Sequence, residues 1–421
     1  MKKFVFLSVF FITFLFLFSG APSAQEVKIG VCLPLSGPVS MLGLQCKTAL
    51  ELAADIVNNS KYKDLNVPLA GAGGIPNLKG AKVKLVFSDN QGKPELGLSE
   101  TERLITQEKV VVATGCFNSS ITETCSMVAE RMHVPFVTFT ATSPKLTQRG
   151  FEWFFRSTPT DEIFTGAMFE FLKAYEQKKK IQFKTITLLY EDTLWGRDSC
   201  RLQKAFAAKA GYKVVADIAY RHAATSLIPE IMNVKAANAD VFFPTSYVSD
   251  AILMYKTMKE LNYNPPMVMS SGGGYTDDNF VKAVGKDIDG LCGREEFSLA
   301  LAVKKPVIAQ ISKLYTERSG RVLGGSAARE FTGLLALCDA INRAGSTDPE
   351  AIREAISKTD IPGEKLITPW RGIKFDKTGT NILGDAIIVQ YQDGGKPCLI
   401  YPFHLATKEA TYPFPKWSER K

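Results

Sequence analysis

Val110-Val111-Val112-Ala113-Thr114-Gly115, running through Cys116 into Phe117-Asn118-Ser119-Ser120, decides the fold. The apolar, β-branched run reads as a buried strand. It turns into Ile121-Thr122-Glu123, where Ser120 and Glu123 have capping-box spacing. The beat repeats at Val134-Pro135-Phe136-Val137-Thr138-Phe139, which leads into Thr140-Ala141-Thr142-Ser143-Pro144. There Ser143 is placed as an N-cap and Pro144 at the first helical position. Such units gather hydroxyls and free backbone N–H groups at the carboxyl edge of a parallel sheet. That edge is the usual ligand crevice of open α/β sheets, and helix N-termini favour anions there. Ser119 and the 140–144 stretch therefore point to a small carboxylate or amide, although helix capping alone also accounts for Ser and Thr at these positions.

Outward from this stretch the alternation continues. Strands are expected at 27–33, 82–88, 185–190, 212–219, 240–243, 267–270 and 288–291. Helices are expected at 43–57, 94–107, 164–176, 198–210, 228–237, 250–261, 306–317, 327–344 and 349–358. The Gly-, Pro- and Asn-rich segment 61–80 reads as a surface loop. Segments 372–375 and 385–391 form a β-rich end, and 408–421 a peripheral tail. Alternating strands and helices imply parallel sheets covered on both faces.

Met1-Lys2-Lys3, an apolar run over 4–18 and Ser19-Gly20-Ala21-Pro22-Ser23-Ala24 have the plan of a secretory signal, assigned to 1–24. The apolar run is shorter than the ~20 residues needed to span a bilayer. The formal charge of +8 is spread among acidic residues. No basic stripe with stacking aromatics marks a nucleic-acid groove. Eight cysteines in an exported chain permit disulfides, and Cys116 and Cys125 flank the Ser119 turn closely enough for a local bridge. Buried free thiols are the alternative.

Several chemistries lack their motifs. His133, His222 and His404 have no partner at metal-ligand spacing, so neither a metal nor a cofactor is expected. There is no Cys-x-x-Cys, no phosphate-binding loop, no Gly-x-Gly-x-x-Gly and no Gly-x-Ser-x-Gly. Ser119 has no evident base, so no enzyme is expected.

The ordered set of 27–43 with Pro34-Leu35-Ser36-Gly37-Pro38, Ser88-Asp89 with Pro94, Ser119-Ser120 and 140–150 resembles the periplasmic solute-binding proteins of branched-chain amino acid importers. The resemblance covers nearly the whole chain after the signal. It implies a type I periplasmic binding fold: α/β, two Rossmann-like lobes with parallel sheets joined by three crossovers. One lobe would hold 25–160 plus 296–383 and the other 161–295 plus 384–421, with crossovers near Thr160, Glu295 and Gly384. It further implies a monomeric periplasmic protein that binds a small molecule and delivers it to an ABC permease/ATPase complex in the inner membrane. By the same resemblance, Ser119 and Thr142 hold the ligand carboxylate through hydroxyls, and Thr140 and Ala141 through backbone groups. Trp195 and Tyr247 close from the second lobe.

The departure lies in Ser270-Ser271-Gly272-Gly273-Gly274, where Gly272 stands in place of the family's ammonium-binding Glu. An enclosed ammonium without a counter-charge costs several kcal/mol. Either the ligand lacks an ammonium, as an aliphatic or aromatic acid or an amide does, or Asp250, Asp277 or Glu191 supplies the charge. A sensory ligand-binding module is a further alternative.

Overall fold

The computed structural model describes residues 26–420; the signal expected at 1–24 lies outside the described residues. The first half contains β1 (Glu26–Leu33), α1 (Ser40–Asn58), β2 (Lys82–Asp89), α2 (Pro94–Thr106), β3 (Val112–Gly115), α3 (Ser119–Arg131), β4 (Phe136–Thr138) and β5 (Phe154–Arg156). Its sheet has the order β2-β1-β3-β4-β5 and every pair is parallel. The chain then builds α4 (Asp161–Lys179), β6 (Thr185–Glu191), α5 (Leu194–Ala210), β7 (Lys213–Tyr220), α6 (Ile228–Ala237), β8 (Val241–Thr245), α7 (Val248–Glu260), β9 (Met267–Ser270), α8 (Asp278–Val284) and β10 (Cys292–Glu295). Helices α9 (Val307–Ser319), α10 (Gly325–Ala344) and α11 (Pro349–Ser357) return to the first half, where α10 packs along α1. A hairpin of β11 (Asp360–Pro362) and β12 (Gly372–Lys374) precedes β13 (Ile387–Gln392) and β14 (Lys396–Tyr401). The second sheet has the order β14-β13-β10-β9-β8-β6-β7.

Burial explains the strand sequences. β1 and β8 are central, covered on both faces and almost wholly apolar, as parallel strands between helix layers must be. The second sheet departs from a purely parallel one: β13 pairs antiparallel with both β10 and β14. The strand expected at 288–291 begins at Cys292 instead, because Gly285–Ile288 forms a 3-10 turn and Gly290 has φ 94°. The 408–420 segment lies at the surface, yet it is docked rather than loose. Phe414 is buried and its N–H donates to the Pro266 carbonyl at 2.6 Å. Arg420 is also buried, its guanidinium 3.5 Å above the Trp417 ring. Among the described residues no helix is long and apolar enough to cross a membrane.

The helix starts also differ in detail. Helix α3 begins at Ser119, with Asn118 at the N-cap and no side-chain capping bond, so the Ser120/Glu123 box does not form. Thr122 Oγ1 instead accepts from the Cys116 N–H at 3.2 Å. Ser143 precedes a 3-10 turn, Pro144–Thr147, without capping it; its hydroxyl donates across the cleft to Asp198 on α5.

Candidate functional site

The carboxyl ends of β3, β4, β6, β8, β9 and β10 meet around one small, narrow cavity of ≈ 20 Å³. Phe117, Ser119, Thr140 and Thr142 line it from the first half, and Trp195, Tyr247, Gly273 and Arg294 from the second. Arg329 enters from α10. Five of the seven residues singled out from sequence thus share one wall: Ser119, Thr140, Thr142, Trp195 and Tyr247. Ala141 and Gly272 are not part of that wall. Ala141 packs in the core beneath, where its N–H donates to Thr138 Oγ1 at 3.3 Å.

Local chemistry positions each group. Ser119 Oγ accepts from the Ser143 N–H at 3.4 Å, which leaves its own proton to donate into the cavity. Thr140 is more committed: its hydroxyl donates to Glu330 Oε1 at 3.0 Å and its carbonyl accepts from Arg329 Nη1 at 2.9 Å. Trp195 lies in the first turn of α5, which Thr193 caps by accepting the Gly196 N–H at 3.2 Å. A Cβ on Gly196 would overlap the Glu191 carbonyl oxygen, so glycine is what lets α5 start so close to the end of β6. The Trp195 ring lies 4.9 Å from that of Tyr247, and Phe117 reaches Tyr247 from the opposite half at 5.9 Å.

The Gly272-Gly273-Gly274 stretch is explained by close approach. Gly272 and Gly273 have φ of 71° and 59°, which favour glycine. A Cβ on Gly273 would lie 2.6 Å from Trp195 Cη2. A Cβ on Gly272 would lie 3.3 Å from both Nε and Cζ of Arg294. The space beside Gly272 is therefore filled by a guanidinium. Arg294 is buried, stacked 3.9 Å over the Phe164 ring, and paired with Glu296 and, at 3.4 Å, with Asp161. Burial pushes the Asp161 carboxyl up, while Arg294, the Thr142 hydroxyl, Arg156 and the Trp195 indole oppose it.

None of the three substitute carboxylates lines the cavity. Glu191 accepts from Thr193 Oγ1 at 2.9 Å and lies 3.1 Å from His222 Nδ1. Asp250 accepts from the Ala223 N–H at 2.9 Å and faces the same imidazole at 3.6 Å. Asp277 accepts from Gln45 Nε2 of α1 at 2.8 Å, a tie between the two halves. Burial pulls the His222 imidazole down, but the Asp250 and Glu191 hydrogen bonds outweigh it and carry it up to about 10. His222 is thus a cation that fixes two buried carboxylates behind Tyr247.

Sequence reasoning missed Phe117, Gly273, Arg294 and Arg329. The run Arg294-Glu295-Glu296 carried a signal, since three successive charges in and just after a buried strand demand partners.

Glu330 gives this wall a pH signature. Burial, opposed by the Thr140 hydroxyl and Arg329, pushes its carboxyl up to about 7 from the ordinary 4.5. Between those values the folded chain holds a proton that the unfolded chain has released. Its contribution is therefore complete at low pH and declines as pH rises from about 4.5 to about 7. Glu330→Gln should remove about 3 kcal/mol of that decline, measured as urea stability at pH 5 and pH 8. An unchanged difference between the two pH values would show that Glu330 titrates normally.

The periplasmic binding protein family model matches residues 26–396. The chain belongs to that family. It is 28% identical over 400 residues to Leu/Ile/Val-binding protein homolog 7 of Brucella suis biovar 1 (strain 1330), covering 93% of this chain and 96% of that one. Its fold matches LivJ, the branched-chain amino acid transporter substrate binding protein from Streptococcus pneumoniae in complex with isoleucine. That match has a TM-score of 0.74 at 19% identity and covers 90% of this chain and all of the other. A solute binding protein of an ABC transporter from R. palustris in complex with benzoate matches with a TM-score of 0.74 at 16% identity, over 89% and 95% of the two chains. The type I periplasmic binding fold, α/β with two sheet-centred halves, is that of this protein.

Proposed function

We propose that this protein is the exported solute-binding component of an ABC-type importer, without enzymatic activity, and that it closes on a compact carboxylate lacking an ammonium group. One observation carries the reading. Hydroxyls of Ser119 and Thr142, the guanidiniums of Arg294 and Arg329, and the Trp195–Tyr247 pair converge on one cavity whose lining contains no carboxylate. In this reading Ser119 and Thr142 donate to the solute carboxylate, the aromatic pair covers its apolar body, and Arg294 faces the place an ammonium would need. Thr140 holds the wall in position. The closed monomer then presents the outer faces of both halves to a membrane permease/ATPase complex. The two halves correspond to 25–160 plus 296–383 and 161–295 plus 384–421, hinged near Thr160, Glu295 and Gly384.

Hydrogen bonds to a charged group contribute about 1.5–3 kcal/mol each. Two of these supply about 3–6 kcal/mol; the roughly −8 kcal/mol of micromolar affinity then requires the aromatic cover and the two guanidiniums to supply the remainder and the ordering costs. The second reading, an amino-acid carrier, draws on Asp161, a buried carboxylate beside Thr142 and Trp195.

A thermal-unfolding panel on mature protein freed of bound solute separates the two. It pairs leucine with 4-methylpentanoate and phenylalanine with 3-phenylpropanoate and its amide, and adds benzoate. A ligand at about 100 times its Kd adds roughly 2.7 kcal/mol of stability. The acids are expected to stabilise and the amino acids not. Stabilisation by the amino acids alone would assign the ammonium to Asp161 and refute the ligand class proposed.

A further inference from the structure

Cys32 at the end of β1, Cys116 just after β3 and Cys125 in α3 are distant in sequence, yet their sulfur atoms all lie within 4.8 Å of one another. All three are buried, at 1%, 0% and 0% exposure. We propose that they form a binding site for a soft monovalent metal ion of the Cu(I) type, held by three sulfurs beneath the cleft wall.

Three independent features support a metal thiolate. The first is the size of the sulfur triangle: three sulfurs at about 2.3 Å from a central ion stand about 4 Å apart, within the observed limit. Soft thiolate ligands select Cu(I), and a dry site with three sulfurs suits its low coordination better than the four-coordinate preference of Zn(II).

The second feature is a set of buried donors around the sulfurs. Asn90 Nδ2 donates to Cys32 Sγ at 3.7 Å. Ser88 lies beside Cys32 and Thr101 beside Cys125. The hydroxyls of Ser88 and Thr101 are buried and have no hydrogen-bond partner among the described residues. Donors left free against sulfur are what thiolates require, and they offset the residual negative charge of a metal–thiolate group in an apolar core. A disulfide is a poor acceptor and needs none of them.

The third feature is the room left for the sulfurs. Helix α2 passes them at Gly97, where a Cβ would lie 2.9 Å from Cys125 Sγ. The surrounding cluster of Leu104, Val110, Ile121, Phe136 and Phe154 excludes water. An ion here would tie β1, the 116–119 turn and α3 together, fixing the segment that presents Phe117 and Ser119 to the cavity.

The test is a competition titration of reduced mature protein, under argon, against the Cu(I) complex of bathocuproine disulfonate. The protein is expected to withdraw one equivalent of Cu(I), and X-ray absorption is expected to show sulfur-only coordination. Cys32→Ser, Cys116→Ser and Cys125→Ser should each weaken uptake at least 100-fold, while Cys200→Ser and Cys338→Ser, in other parts of the core, should leave it unchanged. Ser88→Ala with Thr101→Val keeps all three thiols and should weaken uptake about tenfold, which covers the case of a cysteine variant that does not fold. Copper left on the chelator, uptake unaffected by the three substitutions, or peptide mapping of aerobically isolated protein that finds two of these cysteines bridged would overturn the proposal.

Discussion

Arg294→Met should be strongly destabilising, costing about 3–5 kcal/mol, because it takes the shared cation from buried Asp161 and Glu296 and leaves Glu296 only the Arg329 guanidinium at 3.6 Å. The side chain is 3% exposed, so water cannot take over the pairing. Methionine keeps much of the packing over Phe164, which confines the loss to the charge. The urea midpoint at pH 7 measures it. Adding Asp161→Asn and Glu296→Gln to Arg294→Met should recover most of the loss, since neutral amides no longer require the cation. A triple variant as unstable as the single one would show that Arg294 acts through shape rather than charge.

Trp195→Ala carries the second large effect, on binding and stability together. The ring is 4% exposed, stacks on Tyr247 and packs against the bare Cα of Gly273. Removing it opens a void that costs about 3–5 kcal/mol of stability. It also takes away half of the aromatic surface over the solute, and affinity should fall tenfold or more, equivalent to about 1.4 kcal/mol or more. Trp195→Phe should retain most of both. Calorimetric titration beside a thermal scan separates the two losses. Unchanged affinity in Trp195→Ala would remove Trp195 from the solute contact.

Local pattern carried the strand-and-helix alternation because each unit obeys its own periodicity. Ser119 and Thr142 were legible for the same reason: a hydroxyl just past an apolar strand lands at the carboxyl edge whatever surrounds it. Tyr247 and Trp195 follow strands β8 and β6 in the same way, with Trp195 in the first turn of α5, which begins at Leu194, four residues before the helix start expected at 198. What local pattern could not show is pairing over distance. Arg294 and Asp161 are 133 residues apart, and neither is notable until the fold brings them together. The three clustered cysteines are hidden similarly, since metal-ligand spacing is a local signal and β1, the 116 turn and α3 supply the sulfurs separately. The capping box failed because the helix starts earlier: Asn118 took the N-cap two residues before Ser120, which places Ser120 inside the helix. The anchoring of the tail was missed because its few apolar residues are spaced for docking on an existing surface rather than for a helix or strand of its own.

The central claim is that Ser119 and Thr142 receive a solute carboxylate inside the cavity. Isothermal titration of the acid giving the largest thermal shift, into the wild type and into Ser119→Ala/Thr142→Val, tests it most directly. The account predicts at least 100-fold weaker binding in the double variant with a thermal midpoint within a few degrees of the wild type. Equal affinity in the two proteins would contradict it and place the solute elsewhere.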